Sequence, residues 1–265
     1  MSQFLGVTRH EFSMSIRRPG FWIAYTLICL FYFITILSPS VDGSDDVLNP
    51  EQIQTQIWPQ AGHIVFMFNI FMPLLAGILA ADRMQCDFRT GVRELQRSTP
   101  LSMPVYILAK YLGVLVSVLT PMSLLVFATG LSFVAKGLAP VSFLWPLLLA
   151  FLSITVPSHA FVVAFSLACP LIMPLRVYQV LFTGYWFWGN LLSPHAFPTI
   201  SDTLLNAVGQ YQLQGFFGMY FDSTHPEDTG FTAPQAVLNL IVLAGCIAIA
   251  LFVLDRYLRW QARRA

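Results

Sequence analysis

The chain has 265 residues, of which 56% are hydrophobic and 10% are charged, and its formal net charge is +1. Typical soluble domains carry about 25% charged residues, which cover the surface that faces water. The composition therefore excludes an ordinary soluble protein and indicates an integral membrane protein, and the small net charge gives no overall field for binding nucleic acid.

The first 20 residues predict an amphipathic helix along the membrane surface. Leu5, Phe12 and Ile16 share one helical face, and polar residues lie on the others: Arg9, Glu11, Ser13 and Arg17. A Pro-Gly pair at 19–20 then interrupts the helix before a long apolar run. We expect residues 1–20 to form a cytoplasmic elbow helix that leads into the first membrane span.

Six apolar runs are predicted to cross the membrane, for which a helix needs roughly 20 residues. They are Phe21–Leu37, Ala61–Ala81, Val105–Ala135, Phe143–Ala168, Val177–Leu192 and Val237–Leu254. The first run has no small-x-small cleavage site after it, so we interpret it as a retained span and not as a signal peptide. Pro121 and Pro157 are expected to kink the third and fourth spans. The prediction is an all-α, six-span domain over residues 21–265.

The distribution of charge predicts the orientation of these spans. Thirteen of the 14 basic residues precede the first span, follow the sixth, or lie in or beside the connections after the second and fourth; Lys136 is the exception. Acidic residues cluster in the connections after the first and fifth spans. Because Lys and Arg favour the cytoplasmic side, both termini are predicted to be cytoplasmic, in a plasma or inner membrane. No cysteine falls in a segment predicted to lie outside, so no disulfide is expected.

The segment between the second and third spans, residues 82–104, is polar and rich in arginine. If it is helical, Phe88, Val92 and Leu95 share one face and three basic residues share another: Arg89, Arg93 and Arg97. Such a helix can seat its apolar face on a partner protein. A membrane-surface helix with its arginines on lipid phosphates has the same pattern, so the spacing alone leaves both interpretations open.

This insert also carries an ordered motif: an acid, Arg, Gly, Glu-Leu, Ser-x-Pro, Tyr and Lys. The residues are Asp87, Arg89, Gly91, Glu94, Leu95, Ser98, Pro100, Tyr106 and Lys110. Their order resembles the cytoplasmic loop between the second and third spans of ABC-2-type permeases, the membrane subunits of a large class of ABC exporters. That family often has a second apolar residue after Glu-Leu, where this chain has Gln96.

The resemblance implies that the insert forms a coupling helix against a separate cytoplasmic ABC ATPase. The residues expected to make this contact are Asp87, Phe88, Arg89, Gly91, Val92, Arg93, Glu94, Leu95, Arg97, Ser98 and Pro100. The resemblance also implies a second permease subunit, identical or homologous. ATP and Mg²⁺ are then expected in the partner ATPase and not in this chain.

The longest connection, residues 193–236, follows the fifth span and contains no Lys or Arg. Its apolar residues are too numerous for a free loop: Leu204, Leu205, Val208, Phe216, Phe217, Met219, Tyr220 and Phe221. They predict an outer helix or re-entrant hairpin. Its role is open between a gate and a cap that rests on the membrane.

No motif for catalysis or cofactor binding occurs in the sequence. The chain has no Gly-x-x-x-x-Gly-Lys-Ser/Thr phosphate loop, no Gly-x-Ser-x-Gly, no His-Glu-x-x-His and no Cys-x-x-Cys. We therefore predict no catalytic residue, metal or cofactor in this chain. His63 and His159 are interpreted as hydrogen-bonded to neighbouring helices, with a transport or catalytic role as the alternative. An outer metal site is the alternative for a set that otherwise forms an acidic loop: His195, Asp222, His225, Glu227 and Asp228.

The predicted span cores contain no Asp, Glu, Lys or Arg; their strongest polar groups are Asn69, Asn190 and Asn239. Ion-coupled transporters usually need ionisable residues at membrane depth, so transport by this chain would take its energy from elsewhere, such as an ATPase acting on the insert. Pathway or dimer contacts are predicted at small and aromatic residues of the second and fifth spans: Ala76, Gly77, Ala80, Tyr185, Trp186 and Trp188. Lipid-facing aromatic residues have the same pattern.

The sequence thus predicts a permease subunit of an ABC exporter, with a lipid-like, amphiphilic or drug-like substrate. One alternative is a membrane scaffold that recruits a cytoplasmic protein through the insert. The other is an intramembrane enzyme that uses His63 or His159.

Overall fold

The structure, a computed structural model, describes residues 2–37, 56–89, 102–192, 198–219 and 230–264. Within these ranges the chain forms α-helices joined by short 3-10 and π turns, and no β-strand occurs. In chain order the helices are α1 (Ser2–Ile16), α2 (Pro19–Leu37), α3 (Ile57–Asn69), α4 (Met72–Ala80), α5 (Arg83–Arg89), α6 (Met103–Ala135), α7 (Leu144–Ala150), α8 (Val156–Ala168), α9 (Leu175–Asn190), α10 (Gln210–Phe217) and α11 (Ala233–Arg264). The predicted all-α class is confirmed for the described residues.

Four segments are long and apolar enough to cross a membrane: Ile57–Asp87, Met103–Ala135, Val141–Leu171 and Ala233–Arg263. They contain the second, third, fourth and sixth predicted spans. The first and fifth predicted spans form α2 and α9, but these helices have 19 and 16 residues and do not belong to this set. These four segments make the fold compatible with a membrane-embedded helical protein, and the count of six spans stays a prediction.

Large apolar side chains face outward along α2, α9 and α11. Leu27 is 62% exposed, Val180 73% and Ile249 64%. Soluble monomers rarely expose extended apolar surface, because water disfavours it. These outward faces are suited to contact with lipid.

The segment Ile57–Asp87 is interrupted between α3 and α4. Pro73 has no N–H to donate to the Asn69 carbonyl, so the regular helical ladder stops there. A tyrosine hydroxyl of α2 donates to an α3 carbonyl, and the Trp186 Nε1–H of α9 donates to the Ile70 carbonyl (2.7 Å). These donors from neighbouring helices stabilise the break, since backbone groups freed inside a bundle need partners.

The segment Val141–Leu171 contains a π turn, Phe151–Thr155, between α7 and α8. It directly precedes the turn that holds Pro157, whose missing N–H leaves the Ser153 carbonyl without its regular helical donor. By contrast, α6 continues through Pro121 as a helix of 33 residues.

Residues 198–219, within the connection predicted to lie outside, pack among the helices. α10 lies against α3 and α11, and Val208 and Leu213 are fully buried. The Asn239 Nδ2 donates to the carbonyls of Leu204 (3.0 Å) and Asn206 (2.9 Å), and side-chain amides of α9 and α10 add further bonds. These bonds attach the segment to α9 and α11. Its side of the membrane and its role as gate or cap stay predictions.

Candidate functional site

A buried ion cluster joins α1, α5 and α6 at the end of the bundle where the insert begins. We define it as Glu11, Asp87, Tyr106 and Lys110. The Lys110 Nζ lies 2.6 Å from the Glu11 Oε1 and 2.8 Å from the Asp87 Oδ2. The lysine is 0% exposed and both carboxylates are buried. One ammonium thus binds two carboxylates, each from a different helix.

Tyr106 and Arg83 complete the electrostatics of the ion cluster. Tyr106, one helical turn before Lys110, donates its hydroxyl to the same Asp87 oxygen that the lysine binds. Arg83 is also buried and lies within electrostatic reach of Glu11. Arg83 forms its ion pair with Asp82 (Nε to Oδ1, 3.8 Å), so the two carboxylates of the ion cluster are balanced directly by Lys110 and only at longer range by Arg83. This balance matters because an uncompensated buried charge is strongly destabilising.

Close packing of α1 on α6 covers Lys110. A Cβ on Gly113 would lie 2.7 Å from the Glu11 Cβ and 2.7 Å from the Thr8 carbonyl oxygen, so any side chain there would displace α1. The Thr8 hydroxyl also donates to the Ala109 carbonyl of α6 (3.2 Å). Glycine at 113 therefore permits the approach that buries the lysine.

Further polar contacts attach the start of the insert to the rest of the bundle. The Arg18 Nη1, just before α2, lies 2.9 Å from the Asp82 Oδ2. This pair is more than a third exposed and contributes little to stability. The Gln85 Nε2 of α5 donates to the Pro170 carbonyl near the end of Val141–Leu171. The insert thus begins on a helix that contacts α6 and α8 directly and is connected to α1 through Lys110.

The structure describes only the beginning of the predicted coupling residues. Asp87 lies in the ion cluster and is not available on an exposed face. Phe88 and Arg89 are the last residues of α5. The others lie outside the described residues: Gly91, Val92, Arg93, Glu94, Leu95, Arg97, Ser98 and Pro100. Contact of this set with an ATPase stays a prediction.

Most of the predicted pathway or dimer residues are buried within this chain, namely Ala76, Gly77, Ala80 and Trp186. The small residues let α4 pack against α8 and α9. Tyr185 is partly buried, whereas Trp188 is 43% exposed. Trp188 is therefore the one of these six that faces outward most, and the role of the set stays a prediction.

Of the three histidines within the described residues, His63 and His159 are buried and His10 is exposed. His159 Nδ1 bonds the Thr155 carbonyl of its own helical segment at 2.9 Å, and not a neighbouring helix as expected. His63 lies in α3. Among the described residues, no three His, Cys, Asp or Glu side chains are placed to hold a metal ion. The alternative outer metal residues lie outside the described ranges: His195, Asp222, His225, Glu227 and Asp228.

The sequence did not identify the ion cluster. Lys110 is counted in the charge distribution as a basic residue beside the connection after the second span, but it is fully buried because α1 folds over it. A usable signal was present: Tyr106, Lys110 and Gly113 have i, i+4, i+7 spacing and share a helical face. A lysine next to a glycine on one face of an apolar helix indicates close packing against a charged partner, here Glu11.

The chemistry of the ion cluster is suited to mechanical connection. A shift of α5 would separate Asp87 from Lys110 inside a low-dielectric interior, where separation is costly. The three helices are therefore expected to move together. No protein-family model matches this chain, and no curated protein sequence matches it.

Proposed function

We propose that this chain is an ABC-2-type permease subunit of an ABC exporter, driven by a separate cytoplasmic ATPase. Two permease subunits, each with six spans and cytoplasmic termini, form the membrane part of the complex. ATP and Mg²⁺ bind in the ATPase. The substrate is lipid-like, amphiphilic or drug-like.

The ion cluster is the observation that carries this proposal. An ATPase that moves the insert at residues 82–104 acts on α5, which carries Asp87. The buried contact of Asp87 with Lys110 transmits that movement to α6, and the contact of Lys110 with Glu11 transmits it to α1. A helix that only rests on lipid needs no such buried connection to two other helices.

The test is affinity purification of the tagged chain from native membranes, with ATP hydrolysis as the readout. The unsubstituted chain should retrieve an active ATPase. Glu94→Arg, which reverses a charge within the predicted contact, should lose it. The matched control is Lys136→Glu, a charge reversal at an exposed residue beyond the far end of α6.

Two results would contradict the proposal. The first is the absence of any ATPase from the purified wild-type complex. The second is a Glu94→Arg complex with the same yield and hydrolysis as Lys136→Glu, because a membrane-surface helix would tolerate an additional arginine. A specific partner without ATPase activity would favour the membrane scaffold instead.

A further inference from the structure

Two helix interruptions lie side by side in the bundle. The break between α3 and α4 falls near the midpoint of Ile57–Asp87, and the π turn Phe151–Thr155 near the midpoint of Val141–Leu171. α3 packs against α7 and α4 against α8, so the two segments run in the same direction. They are also close, since a Cβ on Gly77 would lie 2.7 Å from the Val162 Cγ1.

The segment 198–219, whose residues 206–209 are buried, contacts both interruptions. A Cβ on Gly209 would lie 3.6 Å from the Ile154 Cα in the π turn. The preceding carbonyl, that of Val208, accepts a bond from the Asn69 Nδ2 at the end of α3 (2.7 Å). Asn69 and the π turn are therefore close neighbours.

Four polar atoms in this region are buried without a hydrogen-bond partner among the described residues. They are the Asn69 Oδ1, Thr155 Oγ1, Ser158 Oγ and His159 Nε2. The last three have the spacing of one helical face, which continues to Val162 and so faces α4. Unpaired buried polar atoms lower stability, and such a group, beside two interrupted helices, is typical of a binding site inside a bundle.

The hydrogen bonds already made by His159 and Asn69 determine which of the remaining atoms are acceptors. The Thr155 carbonyl can only accept, so His159 donates through Nδ1, and in the neutral imidazole Nε2 is an acceptor. Asn69 likewise donates its Nδ2 to a carbonyl, which leaves Oδ1 as an acceptor. The hydroxyls of Thr155 and Ser158 can donate or accept. The site therefore requires a ligand that donates hydrogen bonds.

An apolar crevice of about 380 Å³ lies between α8, α9 and α11, and it begins on the face of α8 that carries Ser158, because Phe161 and Phe165 follow Ser158 at i+3 and i+7. Its walls include Phe161, Phe165, Tyr178 and Phe182. The Phe182 ring also lies against Gly77, where α4 meets α8. Aromatic and aliphatic walls of this kind accommodate a hydrocarbon chain.

The absence of charged side chains excludes a cationic ligand as the hydrogen-bond donor. Residues 57–81 and 141–171 contain no Asp, Glu, Lys or Arg, and a cation buried without a counter-ion is strongly disfavoured. We propose that the four polar atoms and the crevice form a binding site for a neutral amphiphile with a hydroxyl head group. The ligand hydroxyl accepts from the Ser158 hydroxyl, which lies at the end of the group nearest the crevice, and donates to His159 Nε2 or Asn69 Oδ1. The hydrocarbon tail occupies the crevice. This inference rests on the proposed function and names its substrate class.

The test uses the purified full chain in lipid nanodiscs and a photoreactive long-chain primary alcohol with a diazirine in its chain. Its methyl ether, which lacks only the donor, is the matched probe. The alcohol should label peptides of α8 and α9, and the ether about tenfold less, as expected for the loss of a buried hydrogen bond. Equal labelling by both probes would overturn the proposal.

Two serines of the same segment provide matched variants. Ser158→Ala removes an unpartnered hydroxyl, so it should fold at least as well as the wild type and show several-fold weaker labelling. Ser153→Ala removes a hydroxyl that donates to the Leu149 carbonyl at 2.7 Å, and its labelling should be unchanged. Equal labelling of these two variants would refute the assignment. The ATPase is absent from this assay. Binding of the alcohol can therefore fail while ATPase association succeeds, and ATPase association can fail while the alcohol still binds.

Discussion

Lys110→Met tests whether the ion cluster holds α1, α5 and α6 together. Its ammonium lies 2.6 Å from Glu11 and 2.8 Å from Asp87. At an effective dielectric constant of about 20, unit charges about 3 Å apart attract by about 5–6 kcal/mol. Desolvation offsets much of this attraction, and loss of one partner of a buried pair costs about 3–5 kcal/mol because the other charge stays buried. We therefore expect Lys110→Met to lower the free energy of unfolding by about 3–5 kcal/mol.

The measurement is denaturant-induced unfolding of the purified chain in detergent, followed by tryptophan fluorescence. The control is Lys136→Met, which changes the other lysine of the chain, an exposed one, and should leave stability unchanged. Adding Glu11→Gln and Asp87→Asn to Lys110→Met should recover much of the loss, because both buried carboxylates are then neutral and Arg83 keeps its partner Asp82 (Nε to Oδ1, 3.8 Å). If Lys110→Met unfolds at the same denaturant concentration as Lys136→Met, the reasoning about the ion cluster is wrong.

Three further predictions concern packing and topology. Gly113→Leu should displace α1, so that a cysteine at the buried Ser15 becomes reactive towards a soluble thiol reagent; continued protection would contradict the close packing. Trp186→Phe should lower the free energy of unfolding by about 1–3 kcal/mol, because it leaves a backbone carbonyl at the α3–α4 break without its side-chain donor; an unchanged unfolding curve would show that the bond is dispensable. A cysteine at Ser44 should react with an impermeant thiol reagent from outside and one at Ser98 should not, and the reverse result would exclude cytoplasmic termini.

The helices themselves were predictable because length and apolarity alone decide whether a segment can cross a membrane. The four long segments coincide with four of the predicted spans. The case of α9 differs, since it begins after Pro174 and ends at Asn190, with 16 residues. The apolar composition around such a short helix does not determine whether the helix crosses the membrane.

The ion cluster was less predictable because its contacts are tertiary. Glu11 and Lys110 are 99 positions apart, and their contact exists because α1 turns back against α6. Amphipathic spacing indicated that α1 is a surface helix, and on that basis Glu11 was assigned to a polar face. The contact depends on the small size of Gly113, and the sequence does not show that α1 is the helix that packs against this glycine.

The four unpartnered polar atoms at the two helix interruptions could be predicted only in part from the sequence. The kink expected at Pro157 falls at one interruption, whereas Pro73, at the other, belongs to no predicted kink. Which side chains would be left without partners depends on how the parallel segments align, and spacing along one helix does not give that alignment.

One hydrogen bond joins the residues that directly follow Lys110 of the ion cluster and His159 of the unpartnered polar atoms. Tyr111, next to Lys110 in α6, donates its hydroxyl to the Ala160 carbonyl of α8 at 3.1 Å. Ala160 directly follows His159. Movement of α6 that follows from the insert therefore reaches the α8 backbone beside the proposed hydroxyl site through one hydrogen bond. Spatial continuity permits coupling but does not establish it, so the two sites become one mechanism only if a change at Asp87 alters labelling at the crevice.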